Sequence, residues 1–406
     1  MGRRLSFEDW RHSKVNNSNI VRVVVATSRV FALVLAVGLF WALVNGRDAL
    51  ACSSFLVEKN GTVVAGRNLD STKFTPGVVV INKRGVRKES RSWNELAYGQ
   101  TVPNPSMTWV SKFGSITFNT FCRDFVDGGM NEAGLFIQEM SLVENKYPED
   151  ATKPRFFMML WMQYVLDSFE SVDQVVGSAR EVVIDGWNWH FFAADAAGNT
   201  AAIEFIDGKA VLTYGEAMPI SVLCNDTYAT EMERLKKYEG FGGKVPVILK
   251  GDPRTRDPEE PVEDERFVNA ASLARMSQDS SLPPLEYGMK ILDEMAWEGT
   301  QWSYVCDLTN KKIQFRTKDS PQLKELSFAA FDFDPRSPAR MLDIHADGEI
   351  GPGSFTDYSL EINRASLEKK ISGWETVFTS NGATLEGALD RISGYSETTS
   401  LVPTSK

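Results

Sequence analysis

The sequence predicts an α+β fold in which two antiparallel sheets stack face to face and helices cover them from outside. Segments with strand character come in groups separated by a helical pair, rather than alternating one strand with one helix. Several strands, such as Val78 to Ile81 and Ala201 to Phe205 apart from Glu204, are apolar on both faces, which calls for sheets covered on each side. With 406 residues, 43% of them apolar and 24% charged, the composition is that of a globular chain and excludes collagen-like or low-complexity architectures.

The first 51 residues read as a leader. Met1 to Arg29 carries Arg3, Arg4, Arg11, Lys14, Arg22 and Arg29 against only Glu8 and Asp9, and the uncharged run Val30 to Val44 follows. That run is 15 residues, short of the ~20 a spanning helix needs. Ala49-Leu50-Ala51 then offers the small-x-small pattern of a signal-peptidase site, so residues 1–51 are expected to be a cleaved signal peptide with Cys52 as the new amino terminus. The expected product is exported, to the periplasm or the medium, with no membrane attachment once the leader is gone. Lipidation of Cys52 competes, but Ala49 stands where such sites usually carry Leu.

In the mature chain, Phe55 to Val57 and Thr62 to Gly66 flank Lys59-Asn60-Gly61, and Asn-Gly between apolar runs predicts a hairpin. Val78 to Asn82, Ser115 to Cys122 and Leu135 to Met140 continue as strands, the last two separated by a turn-like Asp127 to Gly134. The period then changes: Phe156 to Phe169 and Ser171 to Val183 read as helices, with Ser171 as N-cap. Strands return at His190 to Ala194, Thr200 to Ile206 and Ala210 to Tyr214. Tyr228 to Tyr238 and Leu285 to Trp297 read as helices, and Trp302 to Asp307 with Lys312 to Thr317 as a late hairpin. Lys250 to Arg266, rich in Pro and charge, is expected to be a solvated loop. One domain is expected over residues 52–395, with a polar tail over 396–406 that frays.

Lys plus Arg number 44 against 54 Asp plus Glu, for a net charge of -10 without a basic run, which argues against nucleic acid as a partner. Without the leader the balance falls to 37 against 51, near -14. The three histidines (His12, His190, His345) and four cysteines (Cys52, Cys122, Cys224, Cys306) form no CxxC or HExxH, so no metal site and no cofactor is expected. The cysteine count alone does not decide between free thiols and disulfides. Trp161, Trp187 and Trp189 are expected in the core, and His190 as a buried, satisfied histidine.

Few side chains remain for chemistry, and Cys52 is the one processing would change. A cysteine made N-terminal combines a thiol with an α-amine whose ordinary pKa is about 7.7 to 8.0, so the amine can serve as base. Gly66-Arg67-Asn68-Leu69-Asp70 at the far side of the hairpin brings a cation and a carboxylate back to the strand start. Arg67 favours the thiolate and Asp70 can orient the amine.

These residues resemble the choloylglycine hydrolase and penicillin V acylase family, the linear amide C-N hydrolases of the N-terminal-nucleophile superfamily. The resemblance rests on CSSFLVEKNGTVVAGRNLD from Cys52, DGGMNEAGL from Asp127, the aromatic helix around Trp161, VLCND around Asn225, ERF at Arg266, and TQWSYVCDLTNKKIQFRT from Thr300. It implies a four-layer αββα sandwich of the N-terminal-nucleophile type. It further implies that Cys52 attacks an amide carbonyl, passes through a thioester, and uses its own amine as base. By the same resemblance Arg67 and Arg266 flank the thiol, Asp70 holds the amine, and Asn225 donates to the oxyanion. The second oxyanion position falls on Ser141, or on Glu139 with a two-residue slip. The Asn225 to Arg266 interval is shorter than in the bile-salt enzymes, so the loop that helps those form tetramers is expected to be missing, although assembly as a homo-oligomer stays open.

The partner so implied is a small acyl amide, with penicillin V or an N-acyl homoserine lactone favoured over conjugated bile salts. Two rivals remain. A papain-like protease would pair Cys52 with His190, 138 residues on, but the cysteine opens a strand rather than a helix. An exported lipoprotein or binding module would keep the fold without the reaction.

Overall fold

The computed structural model describes residues 52–249 and 265–401. The expected leader, most of the Lys250 to Arg266 loop and the last five residues lie outside them. The described chain forms the expected αββα sandwich. The first sheet orders its strands Val222–Leu223, Ser53–Lys59, Thr62–Asp70, Thr300–Asp307, Lys312–Thr317 and Lys324–Ser327, all antiparallel. The second has nine strands, running from Lys209–Tyr214 through Thr200–Ile206, Trp189–Ala194, Phe136–Ser141, Gly128–Asn131, Ser115–Asn119, Val78–Asn82 and Arg340–Asp343 to Thr356–Asp357.

One core fills the space between the sheets and runs under the helices Arg266–Arg275 and Pro284–Met295, which cover the outer face of the first sheet. Between the sheets, Phe118 stacks on Tyr304 with ring centroids 4.1 Å apart and planes 6° from parallel. A second core lies beyond the other sheet, under the helices Met158–Ser168, Val172–Glu181, Leu360–Ile371 and Leu385–Gly394. Met158–Ser168 is apolar nearly all round and is buried accordingly. Trp161 is fully buried edge-on to Phe191, and Trp189 is buried; Trp187 is half-buried in a ring cluster with Trp93, Phe121, Phe157 and Trp374.

Four details depart from expectation. Asp127 to Gly134 is not wholly a turn, since Gly128–Asn131 forms a strand between its neighbours. Glycine there reflects a close approach: a Cβ on Gly128 would lie 2.2 Å from the Tyr304 hydroxyl of the facing sheet. The second helix is preceded by Ser171, but the Val172 N–H is capped by Asp195 Oδ2 at 2.9 Å and not by the serine side chain. Arg266–Arg275, unread in the sequence, is a helix. The tail drawn from Ser396 begins inside the fold, because Ser396 is buried with its hydroxyl 2.7 Å from Asp124 Oδ2, and Ser400–Leu401 pairs with Val86–Glu89.

Candidate active site

The hairpin that carries Cys52 turns at Asn60 and Gly61, whose φ values of 53° and 75° match the primed turn that suits twisted strands. Its register sets Ser53 opposite Asn68 and Ser54 opposite Arg67, so Cys52 comes to lie beside Asp70 at the open end of the ladder. The Asp70 main chain lies near the Cys52 sulfur and favours its thiolate. The next strand adds a bulge between Thr300 and Trp302, and Thr300 Oγ1 donates to Asp70 Oδ1 at 2.6 Å. Oδ2 of this buried carboxylate makes no hydrogen bond of regular geometry among the described residues; Arg266 Nη1, 3.6 Å away, and the Trp297 side chain help to stabilise its charge.

Arg266, the first residue of its helix, joins three of the expected site residues. Nη1 is 3.4 Å from the Cys52 carbonyl and 3.2 Å from Ser53 Oγ, while Nη2 donates to Asn225 Oδ1 at 3.3 Å. Asn225 follows the short strand Val222–Leu223, and its Nδ2 donates to the Ser141 carbonyl at 2.8 Å. An amide nitrogen carries two hydrogens, so this bond fixes the group while leaving the second N–H for a ligand. Cys52, Asp70, Asn225, Arg266 and Ser141 thus converge.

Arg67 is fully buried. Its Nη1 donates to the Asp127 carbonyl at 2.7 Å, and Nη2 forms an ion pair with Glu139 Oε1. The two candidates for the variable position therefore separate: Ser141 meets Asn225 through its main chain, and Glu139 meets Arg67 through its carboxylate. Burial, reinforced by Glu139 and only partly offset by Arg67, pushes the Cys52 thiol up to about 12. Burial likewise raises Asp70 to about 6 against the pull of Arg266. Burial and the neighbouring Asp127 raise Glu139, with Arg67 opposing.

A cavity of about 80 Å³ opens beside Cys224, Asn225, Asp226, Glu231, Arg234, Arg266 and Phe267. A larger groove of about 710 Å³ elsewhere shares no residue with the site; Arg84 pairs with Glu132 and Lys112 with Glu170 along it, and its Asp195 caps the Val172 N–H. The four cysteines are buried and unbridged. His190 turns its ring nitrogens to Glu204 and to the Cys224 carbonyl, not to the Cys52 thiol, which removes the geometry a papain-like pair needs.

Thr300, Asp127 and the ionic role of Glu139 went unread as site residues in the sequence. A charged residue inside the otherwise buried FIQEMS strand was the one available signal, since such a group needs a partner.

Residues 52–254, half of the chain, match the family model of the linear amide C-N hydrolases, choloylglycine hydrolase family. A penicillin V acylase of Pectobacterium atrosepticum is 25% identical over 386 residues, spanning 82% of this chain and 94% of that relative. Among solved structures, penicillin V acylase from Agrobacterium tumefaciens superposes with a TM-score of 0.63 at 26% identity, over 76% of this chain and 98% of that one. A conjugated bile acid hydrolase variant from Clostridium perfringens shares the fold at 15% identity and a TM-score of 0.55, over 76% of this chain and 96% of that one.

Proposed function

Since the chain belongs to the choloylglycine hydrolase family of linear amide C-N hydrolases, we propose that it is exported, cut before Cys52, and hydrolyses its amide through a thioester on that cysteine. The observation that carries this reading is the buried Asp70 Oδ2 beside Cys52, which makes no hydrogen bond of regular geometry among the described residues. A charged α-amine released by cleavage would fill that place. Before cleavage the Cys52 nitrogen is an amide with no basicity, and the thiol is held neutral by burial. Cleavage therefore acts as the switch.

In the proposed cycle the neutral Cys52 amine removes the thiol proton and the sulfur attacks the amide carbonyl, forming a C–S bond. The second N–H of Asn225 receives the oxyanion, where removing such a donor typically costs about 100- to 1,000-fold in rate. As the C–N bond breaks, the ammonium gives its proton to the leaving nitrogen, releasing an amine and leaving a thioester. The same amine then deprotonates water, whose attack frees the acid and restores the thiol. Arg266 supports the site by linking the Cys52 carbonyl, Ser53 and Asn225. Arg67 tempers the negative charge that develops on sulfur.

For substrate we propose penicillin V or an N-acyl homoserine lactone. Support comes from the two relatives near 25% identity, both penicillin V acylases. Conjugated bile salts stand second, because the bile acid hydrolase likeness extends to fold alone. The test is release of a free amine from phenoxymethylpenicillin and from N-acyl homoserine lactones by purified mature protein. Turnover abolished by Cys52→Ala supports the reading; turnover that survives that change, or a wild-type protein inert toward every acyl amide offered, refutes it.

A further inference from the structure

His190, buried on Trp189–Ala194, spends both ring nitrogens on one corner of the molecule. Nε2 lies 2.8 Å from the Cys224 carbonyl and Nδ1 lies 3.3 Å from Glu204 Oε1 on the neighbouring strand Thr200–Ile206. That same carboxylate oxygen accepts the Tyr228 N–H at 2.9 Å, at the first turn of Tyr228–Leu235. The two side chains therefore grip the chain on both sides of Asn225, one residue before it and three after.

The grip crosses between layers. Val222–Leu223, from which the corner emerges, belongs to the first sheet, whereas His190 and Glu204 belong to the second. A histidine that only filled the core could be satisfied within its own sheet. Trp189, next to His190, is registered opposite Ser141, whose carbonyl holds the Asn225 amide. Three adjacent strands of the second sheet thus supply the bond to Asn225 itself and the strap on the loop that carries it. The Cys224 carbonyl can only accept, so the 2.8 Å contact has His190 Nε2 as its donor.

We propose that His190 and Glu204 are positioning residues for amide hydrolysis, a strap that aims the Asn225 N–H at the oxyanion. This rests on the reading above in which Asn225 receives the oxyanion. Loosening the strap misplaces a donor that matters in the transition state and leaves the thiol alone, so it should lower kcat by roughly tenfold to a hundredfold with little change in KM.

The experiment compares mature full-length wild type with His190→Leu, His190→Gln, Glu204→Gln and Asn225→Ala. Each is measured for phenoxymethylpenicillin turnover, for the rate of Cys52 alkylation by iodoacetamide, and for amide hydrogen exchange over residues 224–228. Glutamine can place its side-chain nitrogen near the position of the histidine Nε2 and so keep the bond to Cys224. The strap predicts that His190→Leu loses kcat, retains KM and the alkylation rate, and exchanges faster at 224–228. It predicts that His190→Gln recovers most of the turnover and that Glu204→Gln, whose amide oxygen can still accept from Tyr228, falls between. Unchanged turnover in His190→Leu beside a crippled Asn225→Ala overturns the strap while sparing the role of Asn225. Equal loss of turnover and alkylation, unrescued by glutamine, also overturns it, since a general loosening would reach the thiol. Full activity in Asn225→Ala overturns the underlying reading instead.

Discussion

Arg67 and Glu139 form a buried ion pair that joins the strand beside that of Cys52 to the facing sheet. The pair sets the charge around Cys52, because Glu139 opposes thiolate formation while Arg67 favours it. Glu139→Gln should therefore shift the alkylation midpoint of Cys52 to lower pH. Leaving Arg67 buried without its carboxylate should also cost about 3 kcal/mol of stability. Iodoacetamide rates across pH and urea unfolding measure the two effects; an unmoved midpoint would show that the pair is only structural.

Asp70 gives a second pH signature. Its native pKa of about 6 lies above the ordinary 3.8, so the folded state binds more protons than the unfolded chain between those values. Stability contributed by this group is therefore lost as pH rises through that window, and Asp70→Asn should flatten that slope in unfolding curves taken from pH 4 to 7. Activity runs the other way, since only the carboxylate can hold an ammonium. The acid limb of kcat/KM should follow the Cys52 amine, which must be neutral to take the thiol proton; its ordinary pKa is about 7.7 to 8.0, and the Asp70 carboxylate beside it favours the charged form.

Asn225→Ala removes the proposed oxyanion donor and should lower kcat by about 100- to 1,000-fold with KM nearly unchanged. Steady-state kinetics on the mature enzyme decide it. A rise in KM with kcat intact would make Asn225 a substrate-binding group instead.

Gly128→Ala tests the contact between the sheets. The new Cβ would lie 2.2 Å from Tyr304 Oη and 2.9 Å from Gln138 Cβ, so the sheets must part or Tyr304 must move. A loss of about 1 to 3 kcal/mol is expected, read as a lowered melting temperature.

Much of this molecule was legible in its sequence because its signals were local. The Asn60-Gly61 turn, the two-faced apolar strands and the spacing from Cys52 to Asp70 each follow from neighbouring residues, and together they put Cys52, Arg67 and Asp70 at one end of one hairpin. Gly128–Asn131 was hidden because glycine reads as turn when the real constraint is Tyr304 on another sheet. The helices and strands after Lys324 were hidden for a related reason: Leu360–Ile371, with only Asn363, Leu367 and Ile371 buried, has a weak apolar stripe that acquires meaning only against the second core. Glu139 and His190 could be seen as buried polar residues, but their partners lie 72 and 34 residues away in sequence, and no pattern along the chain names a partner at that distance.

The proposed mechanism turns on the amino terminus of the working protein, so its most direct test is N-terminal sequencing with intact mass of the chain recovered from cells that express the full-length sequence. The prediction is a 355-residue chain beginning Cys52-Ser53-Ser54-Phe55 with a free α-amine. A retained leader, or a lipid on Cys52, would remove the proposed base and contradict the mechanism.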